Sequence, residues 1–146
     1  MKSILIAATA LGLAASLPAQ QSSIPLSHIR YGVTLDSAAA ATQTLKVSMT
    51  FSTNSAGTIL LSLPSWTPGA YVISNYARFV SGFGVSSGTD SLEWDKTDPD
   101  TWRISATRAG EVTVHFEYKA DSLDNAMSWT KDGFGFFNGT NLFLYP

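Results

Sequence analysis

Histidines and carboxylates are the side chains that most often hold metals or move protons, and in this chain they give little to build on. The 146 residues include two histidines, His28 and His115, and eleven Asp and Glu. His28 is followed by Ile29 and His115 by Phe116. Neither therefore opens an H-E-x-x-H run, which sets two imidazoles on one helix face around zinc. Two histidines alone leave a zinc site short of ligands unless carboxylates complete it. His115 alternates with Val114 and Phe116, which turns it towards solvent or a sheet edge. There is no cysteine, so thiol catalysis, thiolate metal sites and disulfides are excluded. Serines are plentiful, but no G-x-S-x-G elbow occurs. Five acids crowd together at Asp90, Glu93, Asp95, Asp98 and Asp100. Oxygen-rich loops can bind calcium, yet this run lacks the Gly and the distal Glu of an EF-hand and reads as a solvated connection. Nothing in its spacing marks a glycosidase carboxylate pair.

Aromatic rings beside turns are the richer signal. In "SWTPGAYVISNYAR", Trp66 and Tyr71 flank Pro68-Gly69. Pro pre-sets the first central position of a turn and Gly supplies a positive φ at the second, which predicts a type II turn. The two rings either pack on the body of the domain or form one wall of a cleft. Asn138-Gly139, between "GFGFF" and "NLFLY", predicts a two-residue hairpin turn. Asn138-Gly139-Thr140 also fits the N-glycosylation acceptor pattern, which matters only in a eukaryotic secretory route. Trp66, Tyr71 and Trp129 could instead stack on sugars, which gives a second reading: a free-standing exported carbohydrate- or ligand-binding β-sandwich module.

The segments that must position these residues are mostly strands. "HIRYGVTLD" puts Ile29, Tyr31, Val33 and Leu35 on one face, and "TLKVSMTF" does the same for Leu45, Val47, Met49 and Phe51. "TILLSLP" is continuously apolar, as a central strand of a sandwich is. "RFVSGFGVSS" alternates less cleanly, through Phe79, Gly82 and Val85. "SLEWD", "TWRISAT" and "EVTVHFEYKAD" follow, with "STNSAG", "DKTDPD" and "RAGE" as connections. Runs and turns at this spacing predict an all-β antiparallel β-sandwich. No sustained helical period appears, although Ile73, Tyr76 and Val80 would suit a short helix within residues 71–80.

Composition bounds the rest. Hydrophobic residues make up 45% and charged residues 14% of the chain, with a net charge of −2. A disordered chain and a phosphate-tracking basic surface are both excluded, so no nucleic-acid partner is expected. Lys2 followed by an apolar run from Ile4 to Ala15 and a small residue at Ala19 reads as a signal peptide over 1–19. That run is too short to span a bilayer, so no membrane contact is expected beyond the signal peptide. Residues 20–28 read as a linker and 29–146 as the β domain, exported to the periplasm or the extracellular space. "NLFLYP" is apolar and strand-like, so the domain is expected to be truncated at its C-terminal end, part of a longer protein.

Three motifs, "LPSWTPGAYVISNYARFV", "WDKTDPDTWRI" and "GFFNGTNLFLYP", occur in an order and spacing that resembles the N-terminal domain of the glycyl aminopeptidase family. This is the sixty-first family of metallopeptidases, with thermolysin-like relatives. The resemblance runs from about Ile29 to Pro146. It implies a non-catalytic β domain that packs on a following catalytic domain and walls its cleft for peptide substrate. Zinc and the general base would lie in that second domain, and no cofactor or metal in this one. By the same resemblance Trp66, Pro68, Gly69 and Tyr71 match a W-T-P-G-x-Y run. Phe136, Phe137, Asn138, Gly139 and Thr140 match an F-F-N-G-T run. Both sets would serve the domain interface or substrate binding. Arg78 would pair across that interface. Ser74 and Asn75 stand where the family often carries Arg-Asp.

Overall fold

A computed structural model describes residues 22–123 and 127–146. The segment read as a signal peptide lies outside the described residues. The elements run in order: β1 Leu26–Thr34, α1 Ser37–Thr42, β2 Thr44–Thr53, β3 Gly57–Ser62, a 3₁₀ turn Tyr76–Phe79, β4 Val80–Ser87, β5 Asp90–Ser91, β6 Trp94–Asp98, β7 Thr101–Ala106, β8 Gly110–Lys119, β9 Trp129–Lys131, β10 Phe134–Phe136 and α2 Gly139–Leu142. Five strands form one antiparallel sheet in the order β1-β2-β8-β4-β5, three form another in the order β3-β7-β6, and β9 and β10 form a small hairpin. The predicted β-sandwich is the architecture found.

Alternation builds the core directly. β2 and β8 pair along their whole length, from Thr44 opposite Lys119 to Thr53 opposite Gly110. Successive side chains point to opposite faces, so every second residue turns inward. Val47, Met49 and Phe51 from β2 and Val112, Val114 and Phe116 from β8 join Ile59 and Leu61 of β3 and Trp102 and Ile104 of β7 in one buried cluster. The polar partners Ser48, Thr50, His115 and Glu117 take the other face.

Several local expectations shift, each for a physical reason. β1 starts at Leu26, inside the segment read as linker, and Ile24 already donates its N–H to Thr58 O at 2.9 Å. Its register slips between Ser27 and Arg30, where His28 sits at φ 53°. Tyr31 and Val33 do face inward, opposite Met49 and Val47. As an edge strand, however, β1 leaves Tyr31 partly open to solvent. The uneven alternation of β4 is a bulge between Ser81 and Gly84, with Gly82 at φ 58°. "DKTDPD" is mostly strand β6, and the turn itself shrinks to Pro99-Asp100. Within residues 71–80, only Tyr76–Phe79 is helical.

The predicted hairpin at Asn138-Gly139 does not form. Asn138 instead caps α2, its Oδ1 accepting the Thr140 N–H at 3.0 Å. An Asn that can satisfy an orphan helix N–H competes with one that supplies a left-handed turn, and here the cap wins. The strand-like "NLFLY" correspondingly opens as one helical turn and becomes extended only near Tyr145, which pairs with Ser62.

The sequence reading misses α1 altogether. Four alanines, the best helix formers, follow Asp36, whose Oδ1 accepts the Ala39 N–H at 2.7 Å. That bond, helped by Lys46, holds the Asp36 carboxyl below its ordinary value. A lowered folded-state value means the contribution is present above the ordinary carboxylate range and lost as pH falls through the lower value. Asp36→Ala is expected to lower the neutral-pH Tm by a few degrees and to weaken the acid limb. A pair of thermal-melt series against pH, wild type and variant, checks both.

Candidate functional site

One end of the sandwich collects both turn motifs. The first leaves β3 at Ser62. Thr67 to Ala70 close a β-turn, with the Ala70 N–H donating to Thr67 O at 3.0 Å and Gly69 at φ 89°. This is the predicted type II turn, because only the second central position needs the left-handed region. The segment is then closed at its base. Ser65 O accepts from Ser74 N at 2.8 Å and from Asn75 N at 2.9 Å. Ser65 Oγ donates to Asp100 Oδ2, and Thr67 Oγ1 shares a 2.6 Å hydrogen bond with the buried Tyr76 hydroxyl. Residues 66–73 thus form a compact Ω-like loop whose ends meet.

What this loop presents is apolar. Trp66 is 48% exposed, Tyr71 102%, Val72 68% and Ile73 64%. No charged residue occurs between Lys46 and Arg78. Arg78 on the 3₁₀ turn is exposed, lies 4.6 Å from the Phe79 ring centroid, and forms no ion pair among the described residues. Gly69→Ala is expected to cost ~1 kcal/mol from backbone alone, since a Cβ there would meet nothing within 4 Å. A lower urea midpoint with faster proteolytic nicking inside 66–73 is the measurement.

The second motif lies beside the first. β10 ends at Phe136, Phe137 follows, and the Asn138 cap starts α2, which packs against the 3₁₀ turn at Tyr76–Phe79. Beyond α2, Tyr145 and Ser62 exchange backbone hydrogen bonds at 2.8 and 2.9 Å. That pairing ties the C-terminal segment to the strand from which the loop departs. Phe143 stacks on Tyr31 at 4.6 Å and meets Phe137 edge-on at 6.0 Å. The Tyr31 hydroxyl donates to Leu144 O at 2.5 Å, and partial burial raises its pKa. Asn141 is fully buried and accepts a 3.2 Å bond from Ser128 Oγ.

All ten residues singled out in the sequence therefore sit on two adjacent segments. Val72, Ile73, Tyr31, Phe143 and Tyr145 belong to the same end and were missed. For Val72 and Ile73 the available signal was the long uncharged stretch around them. For Tyr31 there was none, since nothing local to β1 announces the C-terminal segment. Trp129 lines a different surface, a groove of about 540 Å³ beside α1 with Ala40, Gln43 and Asp132. Its ring packs on Phe134 at 5.8 Å.

The polar candidates are dispersed. His115 stands on the outer face of the five-stranded sheet, its Nε2 2.5 Å from where a Cβ on Gly84 would lie. Four of the five clustered acids, Asp90, Asp95, Asp98 and Asp100, find local partners. Asp95 pairs with Arg103, whose guanidinium holds that carboxyl below its usual range. Asp90 pairs with Arg108 at 3.2 Å. Asp98 Oδ1 accepts the Asp100 N–H at 2.8 Å, which lowers its pKa too. Among the described residues no three His, Asp or Glu converge as metal ligands, so the residues present do not fit a zinc ion. Among them, too, no helix is long and apolar enough to cross a membrane.

Comparison with known proteins finds similarity over most of the chain. The sequence model of one family, described as the Peptidase M61 N-terminal domain, matches residues 31–146. Among solved structures, the chain is similar to an aminopeptidase N family protein from Idiomarina loihiensis, with a TM-score of 0.71 and 28% identity. That match covers 80% of this chain and 19% of the other, so this chain spans about a fifth of its length. No curated protein matches.

Proposed function

This chain belongs to the family of Peptidase M61 N-terminal domains, and on that footing we propose that it is the non-catalytic β domain of an exported zinc aminopeptidase. Zinc and the general base are supplied by a catalytic domain in the same polypeptide. This domain packs on that one and borders the cleft that receives peptide substrate. The observation that carries the reading is the gathering of both motif segments, ring-bearing and uncharged apart from Arg78, at one end of the sandwich. Large exposed apolar groups held together in this way mark interaction surfaces. The placing of zinc in the catalytic domain is supported by the clustered acids here, where Asp95 and Asp90 pair with arginines and Asp98 accepts a backbone N–H.

The complete reading frame tests this. The polypeptide it encodes is expected to contain an H-E-x-x-H run after Pro146, to be exported with residues 1–19 removed, and to release amino-terminal residues from peptides in a chelator-sensitive way. Residues 20–146 expressed alone are expected to show no such activity. A frame without the motif, or an intact protein inert towards peptides, would sink the reading.

A further inference from the structure

The surface at the motif end is of two kinds. Tyr31, Phe143 and Phe137 are mutually stacked, so part of their apolar area is already covered within the domain. Tyr71, Val72 and Ile73 are different. They stand consecutively in solvent at 102%, 68% and 64% exposure. The backbone beneath them is fixed by the two bonds to Ser65 O, the Thr67–Tyr76 hydroxyl pair and the Gly69 turn. A loop already held in one shape loses little conformational freedom when it docks.

We propose that the Tyr71–Val72–Ile73 tip is a preformed knob that inserts into an apolar recess of the remainder of the same polypeptide and supplies most of the energy of interdomain docking. The inference rests on the reading of this chain as one domain of a larger peptidase. Three observations select that occupant. Pro146 stands near the loop base, because Tyr145 is paired antiparallel with Ser62, three residues before it, so the C-terminal segment and the tip share one end of the sandwich. The similar solved chain is about five times longer than the portion matched here. The absence of charge from residue 47 to 77 suits a neutral recess and gives no handle for nucleic acid or an anionic lipid surface. Three side chains are a small contact, but a tethered partner is presented at high effective concentration, so a small contact suffices.

The test uses the intact polypeptide carrying Tyr71→Ser, Val72→Ser and Ile73→Ser together. These side chains are exposed, so the β domain itself should keep its fold. Leu123→Ser, at an equally exposed apolar position outside the loop, is the control. Wild type and control are expected to melt in a single transition and to resist protease at the junction after Pro146. The triple variant should melt in two transitions and be cut at that junction roughly tenfold faster or more, the scale set by losing a hot-spot cluster. A variant that matches wild type in both readouts, in a protein with chelator-sensitive activity, overturns the knob and leaves the proposed function standing. An intact protein without that activity overturns the proposed function, whatever the melts show. Sedimentation that finds a wild-type dimer and a variant monomer would reassign the tip to a second copy. Tip-dependent flotation with phosphatidylcholine vesicles would reassign it to a membrane surface. Either outcome overturns the proposal.

Discussion

Trp102→Ala is expected to destabilise the domain by about 3–5 kcal/mol, a large part of what a domain of this size has to lose. Trp102 is 1% exposed near the start of β7 and faces the five-stranded sheet. Phe83 from β4 stacks on its ring at 5.0 Å with the planes 11° apart, and Phe83 in turn meets Trp94 and Phe116. Removing the indole therefore strips the partner of a ring that bridges the two sheets, and the surrounding strands are too well paired to collapse into the space. The chain has no disulfide to hold the sheets together once this packing is lost. Lys96 supplies an internal contrast. Its Nζ lies 4.1 Å from the Trp102 ring centroid on the solvent side. An exposed cation over a ring is worth only about 0.5–1 kcal/mol, so Lys96→Met should shift the urea midpoint slightly where Trp102→Ala removes most of the transition. Equal effects from the two substitutions would place the energy in the cation contact and contradict the packing argument.

The same core explains which parts of the fold are legible from the residues and which are not. Leu45 to Phe51 and Val112 to Tyr118 read as strands because burial on one face only imposes a period of two, and that constraint is local. The Pro68-Gly69 turn is legible for the same reason: its geometry is set by the two residues themselves. Asn138-Gly139 is not, because Asn can either take up a left-handed turn or cap a helix. The choice is made by α2 packing against the 3₁₀ turn, some sixty residues earlier in sequence. α1 was hidden by its brevity, since six residues carry too little periodicity to register, although the Asp36 cap and the alanine run were both present. The candidate site follows the same division. Its residues were visible as two motifs, but their meeting depends on the Ser62–Tyr145 pairing and on Phe143 reaching Tyr31, contacts between distant segments that no window of sequence contains.

Beneath that meeting point lies a residue whose replacement should strengthen the protein. Tyr118 is fully buried on β8, against Leu45 of β2 and Val80 of β4, with the Phe79 ring 5.8 Å away. Its hydroxyl has no hydrogen-bond partner among the described residues, whereas that of neighbouring Tyr76 is engaged by Thr67. A buried polar group without a partner costs about 1–3 kcal/mol, and removing it while keeping the ring recovers much of that cost. Tyr118→Phe is therefore expected to raise stability by about 1–2 kcal/mol at neutral pH. A second signature follows from its ionisation. Burial, and then the nearby Tyr76, push the Tyr118 pKa well above its ordinary value of 10.0. In the unfolded chain the phenol ionises near that ordinary value, while in the folded chain it stays protonated. Stability linked to this group is thus full below about pH 10 and lost as pH rises above it. Phe cannot ionise, so the variant should gain further on wild type along the alkaline limb. Tyr31, also raised, keeps that limb from vanishing. Urea titrations of both proteins from neutral pH upward measure the two effects together. A Tyr118→Phe protein that is less stable at neutral pH would mean the hydroxyl is held by a buried water, and the domain would then spend polar binding energy directly beneath the surface it offers to its neighbour.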